Sequence, residues 1–514
     1  MEWQWSLLVC GISGIEESKA HIKSNEHIRS EEHIKSQAQI VSWLCIAILA
    51  LSVIHCASAM TIQAADDVQA AIDKANAGDT ILVMPGQHEP FEVDKAVMIR
   101  GVDYPVVESA IQRPGITISA DGAAVAGFRI KGVAEDSTSK FDYFMMHPAQ
   151  AAVRLDLPNA GIIAASNDIS LKDIVFSGGQ VGIFADGAAN LSIDNATFER
   201  CGQGAQFSRC LGVRVENCRS LGCDKYGFYI ERSSDIHLEN CTIFETNNSG
   251  VFLKECRTSS ILNNTASGNK EGITLWNSTL AEIRNNSVDH SYYGILVSQS
   301  DNNTILDNVV AENSRSEIVK GFGIGISLQE NSSYNVVARN LAKKSFNGLE
   351  MTRGCKYNVI YGNDAIDNTH GIRVDKNYNN LIYHNNFLRN TISAYDNSTH
   401  NFWNASVGNF YSDYRGQDEN GDGIGDQPYA IPKGNTNAVD ARPLMKPCNT
   451  EFLDMDYLWQ DLKNYARYDP EEENTVPYKQ IGGVIKIESK RPKSPPVWPE
   501  SKSTLSSNLY RLDD

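Results

Sequence analysis

Gly272-Ile273-Thr274-Leu275, Gly348-Leu349-Glu350-Met351 and Gly371-Ile372-Arg373-Val374 are copies of one short pattern. A glycine is followed by an apolar residue, then any residue, then another apolar one. That alternation has period 2, the mark of a strand with one buried face. The glycine recurs along the chain at Gly182, Gly204, Gly227, Gly250, Gly272, Gly294, Gly325, Gly348 and Gly371, with steps of 22, 23, 23, 22, 22, 31, 23 and 23 residues. Ala394 takes the next beat. A fixed period in this range signals a repeat architecture.

Asparagines keep a second register: Asn195, Asn217, Asn240, Asn264, Asn286, Asn308, Asn340, Asn363 and Asn386. A third comprises Asn303, Asn335, Asn358 and Asn380, each before an apolar pair. Three strand-like positions per 22–23 residues, with no helical pattern between them, predict one coil of a single-stranded, right-handed parallel β-helix. Asparagine at a corner adopts left-handed geometry, and when stacked it forms amide ladders. The 31-residue step reads as a coil with a loop inserted around Ser314–Gly321. Coils stack about 4.8 Å apart, so Gly182 to Ala394 spans roughly 45–50 Å.

Before the regular coils, Asp66 or Asp67 caps a short amphipathic helix carrying Val68, Ala71, Ile72 and Ala75, which ends by Gly78. Thr80–Val83 reads as a strand and Glu135–Ala149 as a surface loop. A helix there caps the open end of the solenoid. Ile40–Val53 is almost wholly apolar and Ala57-Ser58-Ala59 follows it. This reads as a signal segment, with the mature chain starting at Met60 or Thr61; an uncleaved anchor is the alternative. Upstream, His21–Ser36 repeats every six residues and is acidic, unlike an ordinary signal n-region. It suggests a start codon placed too early or a discarded extension. The resulting division is residues 1–59 as extension and signal, 60–447 as the β-helix with its caps, and 448–514 as a tail. In that tail Glu451–Tyr468 has helical character, and Asp469–Asp514 is rich in Pro, Ser and charge.

A net charge of −17 argues against nucleic acid or an anionic membrane as partner. Membrane contact is expected only through the signal or anchor segment. Six cysteines fall between Cys201 and Cys256. Cys201/Cys223 and Cys218/Cys241 are one coil apart, so each pair stacks, either as cystines or as buried thiols.

Asp418-Glu419-Asn420-Gly421-Asp422-Gly423-Ile424-Gly425-Asp426 has the spacing of a Ca²⁺ loop. Side-chain oxygens of Asp418, Asn420, Asp422 and Asp426 would converge with the Ile424 carbonyl. Asp440 or water would complete the shell, and the ion would pin the C-terminal cap. The alternative is an acidic turn without metal.

This segment also carries a resemblance. Gly408–Tyr414, the Asp/Gly loop, Pro428–Ile431 and Asp440–Leu444 resemble the closing segment of NosD-like parallel β-helix proteins. Ala70-Ala71-Ile72, Gly78–Val83 and Pro85-Gly86 resemble their opening. The wider group is the carbohydrate-binding and sugar-hydrolase β-helix domains. The resemblance implies the fold, and functions that range from binding and surface proteins to lyases and epimerases. The NosD name implies periplasmic copper delivery. Yet His88, His147, His237, His290, His370, His384 and His400 show no paired ligand spacing.

If the residue after each glycine points inward, the next points out. That column reads Tyr229, Phe252, Thr274, Leu296, Ser327, Glu350, Arg373 and Asp396, and a second includes Glu231, Lys254, Trp276 and Asp375. Glu350, Arg373 and Asp396 would then form a catalytic patch, the alternative being charge pairing on a solvated face. Tyr229, Phe252 and Trp276 form an outward aromatic strip, and Tyr334 and Tyr357 stack at a corner. Such faces suit an elongated glycan. The reading is an exported protein, secreted or at the cell surface or periplasm, that binds a polysaccharide or cell-envelope glycan or serves as a surface structural protein. A lyase, epimerase or hydrolase acting on a uronate-containing glycan and NosD-like copper handling are the alternatives.

Overall fold

The computed structural model describes residues 60–109, 113–132, 159–314, 322–432, 434 and 437–450. The expected signal segment, the expected surface loop at Glu135–Ala149, residues 315–321 of the expected insertion and the expected tail from 451 onward lie outside the described residues.

The described chain is a parallel β-solenoid, as the repeat predicts. One face is a 13-stranded sheet, and the other two faces form a continuous 26-stranded sheet. A representative coil runs Glu271–Trp276, Thr279–Arg284, Ser287–Asp289, and each strand pairs in parallel with its equivalent one coil away. Two nine-residue strands explain why two faces merge into one sheet. Ala124–Gly132 and Ser170–Gly178 run straight through a corner, bending at Gly127 (φ 77) and Asp173 (φ 54). Ser170–Lys172 then pairs with Ser192–Asp194, while Val175–Ser177 pairs with Thr197–Glu199.

The glycine column has a steric cause. A Cβ on Gly182, Gly227, Gly272 or Gly325 would lie 2.4–2.6 Å from the carbonyl oxygen of the glycine on the next coil. Strand pairing skips this position, matching Ser249 to Glu271 and then Val251 to Ile273. The skip turns the residue before the glycine to the outer side, so residues i and i+3 share that face. The Thr274 hydroxyl accordingly donates to Glu271 Oε2 at 2.8 Å.

The final beat falls on Ser393 rather than Ala394. Gly371 approaches the Ser393 carbonyl, and Ala394 pairs with Ile372. That last coil is one residue shorter than its predecessor, and a one-residue slip exchanges the faces of a strand.

The asparagine register resolves into two columns. Asn195, Asn217 and Asn240 are exposed corner residues with φ near 55. Asn264, Asn286, Asn308, Asn340 and Asn363 occupy the next position and are buried. This ladder continues through Asn385, not Asn386, to Asn409. Each rung donates its backbone N–H and its Nδ2 to the next rung's Oδ1: Asn308 to Asn340 at 2.9 Å for both. The same Nδ2 also reaches a core strand carbonyl, Ile283 O, at 2.9 Å. Buried amides thereby keep their partners, which is why polar residues are tolerated there. Asn303, Asn335, Asn358 and Asn380 form a second ladder ending on Asn401.

The cysteines occupy earlier positions of such columns. Cys218 and Cys241 precede Asn264, and the Cys241 amide donates to Asn264 Oδ1. Cys201 and Cys223 share a thiol hydrogen bond, as do Cys218 and Cys241. The eight cysteines among the described residues are free thiols. The bond to its neighbour and burial push the Cys201 and Cys241 thiols well above the ordinary range.

Both ends are closed. Val68–Lys74 is a helix whose first amides are capped by Asp67, the Ala70 N–H donating to Oδ1 at 2.9 Å. It buries Val68, Ala71 and Ile72. At the other end Tyr411 and Tyr429 stack at 3.8 Å, and the Trp403 indole is buried. Asp440 terminates the first ladder, accepting from Asn409 N at 2.7 Å and Asn409 Nδ2 at 3.2 Å.

Candidate functional site

The 13-stranded sheet carries three outward columns. Two are those read from the sequence as far as Arg373 and Asp375. The third, which sequence alternation missed, comprises the residues before the glycines: Tyr226, Ser249, Glu271, Tyr293, Asn347 and His370 among them. Strict alternation assigns those residues inward, and the break in strand pairing at the glycine that turns them outward shows only in the structure.

Tyr226 completes the aromatic strip. Its ring lies 5.1 Å from Tyr229 and 5.4 Å from Phe252, and Tyr229 stacks on Phe252 at 5.6 Å and 14°. Trp276 sits two coils on from Tyr229 in the adjoining column, with Lys254 Nζ 5.4 Å over its ring. The Tyr229 hydroxyl donates to Glu231 Oε2 at 3.0 Å, and burial pushes that phenol up. Tyr334 and Tyr357 do stack, at 5.2 Å and 15°, but at a corner beside the large sheet. The five aromatic residues therefore make two separate surfaces.

Further along the same face Glu350 and Arg373 stand on adjacent strands, with Nη1 3.9 Å from Oε1. Arg373 Nη2 also donates to Asp375 Oδ2 at 3.3 Å, and its guanidinium lies 5.4 Å from the Tyr395 ring centre. Glu350 is 6% exposed, and burial raises its pKa against the pull of Arg373. His370 joins the group through Asn347, Nδ1 to Oδ1 at 2.9 Å; burial and then Arg373 lower its pKa.

Asp396 is not on this face. The shortened last coil pairs Arg373 with Tyr395 and Val374 with Asp396, so Asp396 turns inward. It is 2% exposed and accepts from the Trp403 indole at 2.8 Å and the Ser398 amide at 2.9 Å. The three-residue patch read from the sequence reduces to Glu350 and Arg373, joined by His370, Asp375 and Tyr395.

In the Asp/Gly loop, Asp418 accepts from the amides of Gly421, Asp422 and Gly423, and Asp422 Oδ1 accepts from Ile424 N. Asp426 Oδ2 accepts from Glu419 N at 2.8 Å. The loop is thus wrapped around its own carboxylates and exposed. Asp440 does not complete it. That residue is 0% exposed, engaged with Asn409, the Tyr411 hydroxyl and the Arg442 amide. Among the described residues no helix is long and apolar enough to cross a membrane.

Comparison with known proteins adds the following. A profile described as periplasmic copper-binding protein (NosD) matches residues 255–416, and one described as right handed beta helix region matches 154–288. A probable ABC transporter binding protein NosD from Stutzerimonas stutzeri is 28% identical over 181 residues, 33% of this chain and 36% of that protein. This chain thus matches about a third of the relative's length. Among solved structures, the A-module of the Azotobacter vinelandii mannuronan C-5 epimerase AlgE6 superposes with a TM-score of 0.49 at 13% identity, covering 65% of this chain and 92% of that one. The Dettilon tailspike protein gp208 gives 0.47 at 13%, covering 59% and 67%. The chain is a right-handed parallel β-helix repeat protein with a NosD-like segment at residues 255–416.

Proposed function

We propose that this is an exported β-helix protein that binds an elongated polysaccharide or cell-envelope glycan along the outer face of its 13-stranded sheet. The observation that carries the reading is the cluster of Tyr226, Tyr229 and Phe252, with Trp276 beside it, on consecutive coils. Sugar rings pack their C–H faces on aromatic rings, and the coil repeat offers such contacts along a line. Polar neighbours such as Glu231, Lys254 and Glu271 supply hydrogen bonds to hydroxyl groups. Export is supported by the periplasmic description of the matching profile. The Asp418–Asp426 loop would hold one Ca²⁺ through Asp418, Asn420, Asp422, Asp426 and the Ile424 carbonyl, fastening the C-terminal cap.

The Glu350/Arg373 group supports a second reading, turnover of a uronate-containing glycan. There the guanidinium would hold a substrate carboxylate, and the raised pKa of Glu350 would let it carry a proton. A glycan array run with and without EDTA, followed by assays for unsaturated uronates by ultraviolet absorbance, for new reducing ends and for C-5 inversion by NMR, separates the two. Binding without product, lost in Trp276→Ala, is expected. Product formation that disappears in Arg373→Ala would replace the binding reading with the enzymatic one. An array with no retained glycan would contradict both.

A further inference from the structure

Strands Leu211–Glu216 and Ser234–Glu239 lie on adjacent coils of the large sheet, with Arg214 opposite His237 and Glu216 opposite Glu239. Val213, Val215, Ile236 and Leu238 fill the core, so these four side chains face outward. Two carboxylates directly opposite one another repel. Elsewhere on this surface acids meet a cation from another coil: Lys172 with Asp194 at 2.9 Å, Arg284 with Asp307 at 3.1 Å, Arg389 with Asp367 at 2.8 Å.

Between Glu216 and Glu239 stands an imidazole. His237 Nε2 is 2.8 Å from Glu239 Oε2 and 3.7 Å from Glu216 Oε1. Donor atoms of all three lie within 4.8 Å of one another, the one such group of three found among the described residues. A tetrahedral ion with bonds of about 2.0–2.1 Å holds neighbouring ligand atoms roughly 3.3 Å apart. The two imidazole distances bracket that value, and the carboxylate oxygens lie within 4.8 Å of one another, a separation that an ion would close by drawing in the long glutamate side chains. The carboxylates are held from outside. Asn263 Nδ2 donates to Glu239 Oε1 at 2.9 Å, leaving Oε2 turned to the imidazole, and Arg214 Nη1 donates at 2.8 Å to Glu216 Oε1, the oxygen that faces the imidazole, so an ion there shares that carboxylate with the guanidinium. Such outer partners orient metal ligands. The three side chains are each about a quarter to a third exposed, so an ion can enter and water can take the remaining position.

We propose that Glu216, His237 and Glu239 bind one divalent cation that favours mixed nitrogen and oxygen ligands, with Zn²⁺ as its representative. The site is on a different sheet from the aromatic strip and is independent of the glycan reading. The test is calorimetric titration of Zn²⁺ into the full chain, stripped of metal and then saturated with Ca²⁺ so that the Asp418–Asp426 loop is not in competition. Other histidines, including His21, His27 and His33, are shared by every variant, so the readout is the change in stoichiometry. His237→Ala and Glu239→Gln should each remove one Zn²⁺ equivalent or weaken it at least tenfold, with unchanged circular dichroism. Parent and both variants binding Zn²⁺ alike, or a parent that binds none, would overturn the proposal.

Discussion

Replacing Asp440 with asparagine should change the pH dependence of stability by a calculable amount. Asp440 ends a buried ladder in which every rung donates twice to the next. The last rung, Asn409, needs a group that only accepts, and a carboxylate supplies it. Burial pushes this carboxyl up to about 6 from 3.8, despite the bonds from Asn409, Arg442 and Tyr411 that pull it down. The folded pKa is raised, so the native state holds a proton that the unfolded chain has already released between these values. Its stabilising contribution is therefore full below about pH 4 and is lost as the pH rises through 6. A shift of about 2 units at 1.36 kcal/mol each is about 3 kcal/mol. Asp440→Asn does not titrate. It should cost a further ~1–3 kcal/mol at all pH values, because its amide points a donor at a donor. Urea unfolding of parent and variant from pH 4 to pH 7.5 measures the difference. The parent's advantage should shrink by about 3 kcal/mol across the window. An advantage that is constant, or that grows with pH, would refute the reading that burial outweighs the hydrogen bonds from Asn409, Arg442 and Tyr411 at the Asp440 carboxyl.

Asn340→Ala deprives Asn308 of the acceptor for both its donors and removes the side-chain donor to the Ile305 carbonyl; a loss of about 2–4 kcal/mol by chemical denaturation is expected, and under 1 would contradict the ladder. Gly272→Ala places a Cβ 2.2 Å from Val288 Cγ1 and 2.5 Å from the Gly294 carbonyl oxygen; overpacking should cost about 1–3 kcal/mol, and a neutral result would contradict the steric reading of the column. EDTA should lower the melting temperature of the parent and leave that of Asp422→Ala unmoved, since an ion bound only to the native state stabilises it; a parent indifferent to EDTA would remove Ca²⁺ from the account.

Much of this fold was legible because a solenoid writes its geometry in one dimension. Gly272 and its equivalents announced the coil, and the alternation after them assigned the core side of each strand. What failed did so at single-residue slips. The interval from Gly371 to the next beat is 22 residues, not 23, and that placed Asp396 outside when it is buried against Trp403. The same kind of slip merged the exposed corner Asn240 with the buried rung Asn264, a residue further round the coil. Period 2 gives no warning of such errors, since both faces remain internally consistent. The aromatic strip was read correctly apart from Tyr226, hidden by the break in pairing at Gly227. Asp440 was out of reach: its role depends on a fold-back of the C-terminal segment that brings it under Asn409, 31 residues away. The Glu216/His237/Glu239 group was missed because its members are neighbours across coils, 21 and 2 residues apart in sequence, and no linear metal spacing contains them.

The central claim is that the outer face of the 13-stranded sheet binds glycan. Calorimetric titration of the best-retained oligosaccharide into the parent, Tyr229→Ala, Trp276→Ala and Tyr334→Ala tests it. Tyr229→Ala and Trp276→Ala should each weaken binding about tenfold or more, the loss of one ring contact being about 1.4 kcal/mol. Tyr334→Ala, on the separate corner, should stay within about twofold of the parent. Equal affinity in the parent and both sheet variants, with the loss confined to Tyr334→Ala, would contradict it.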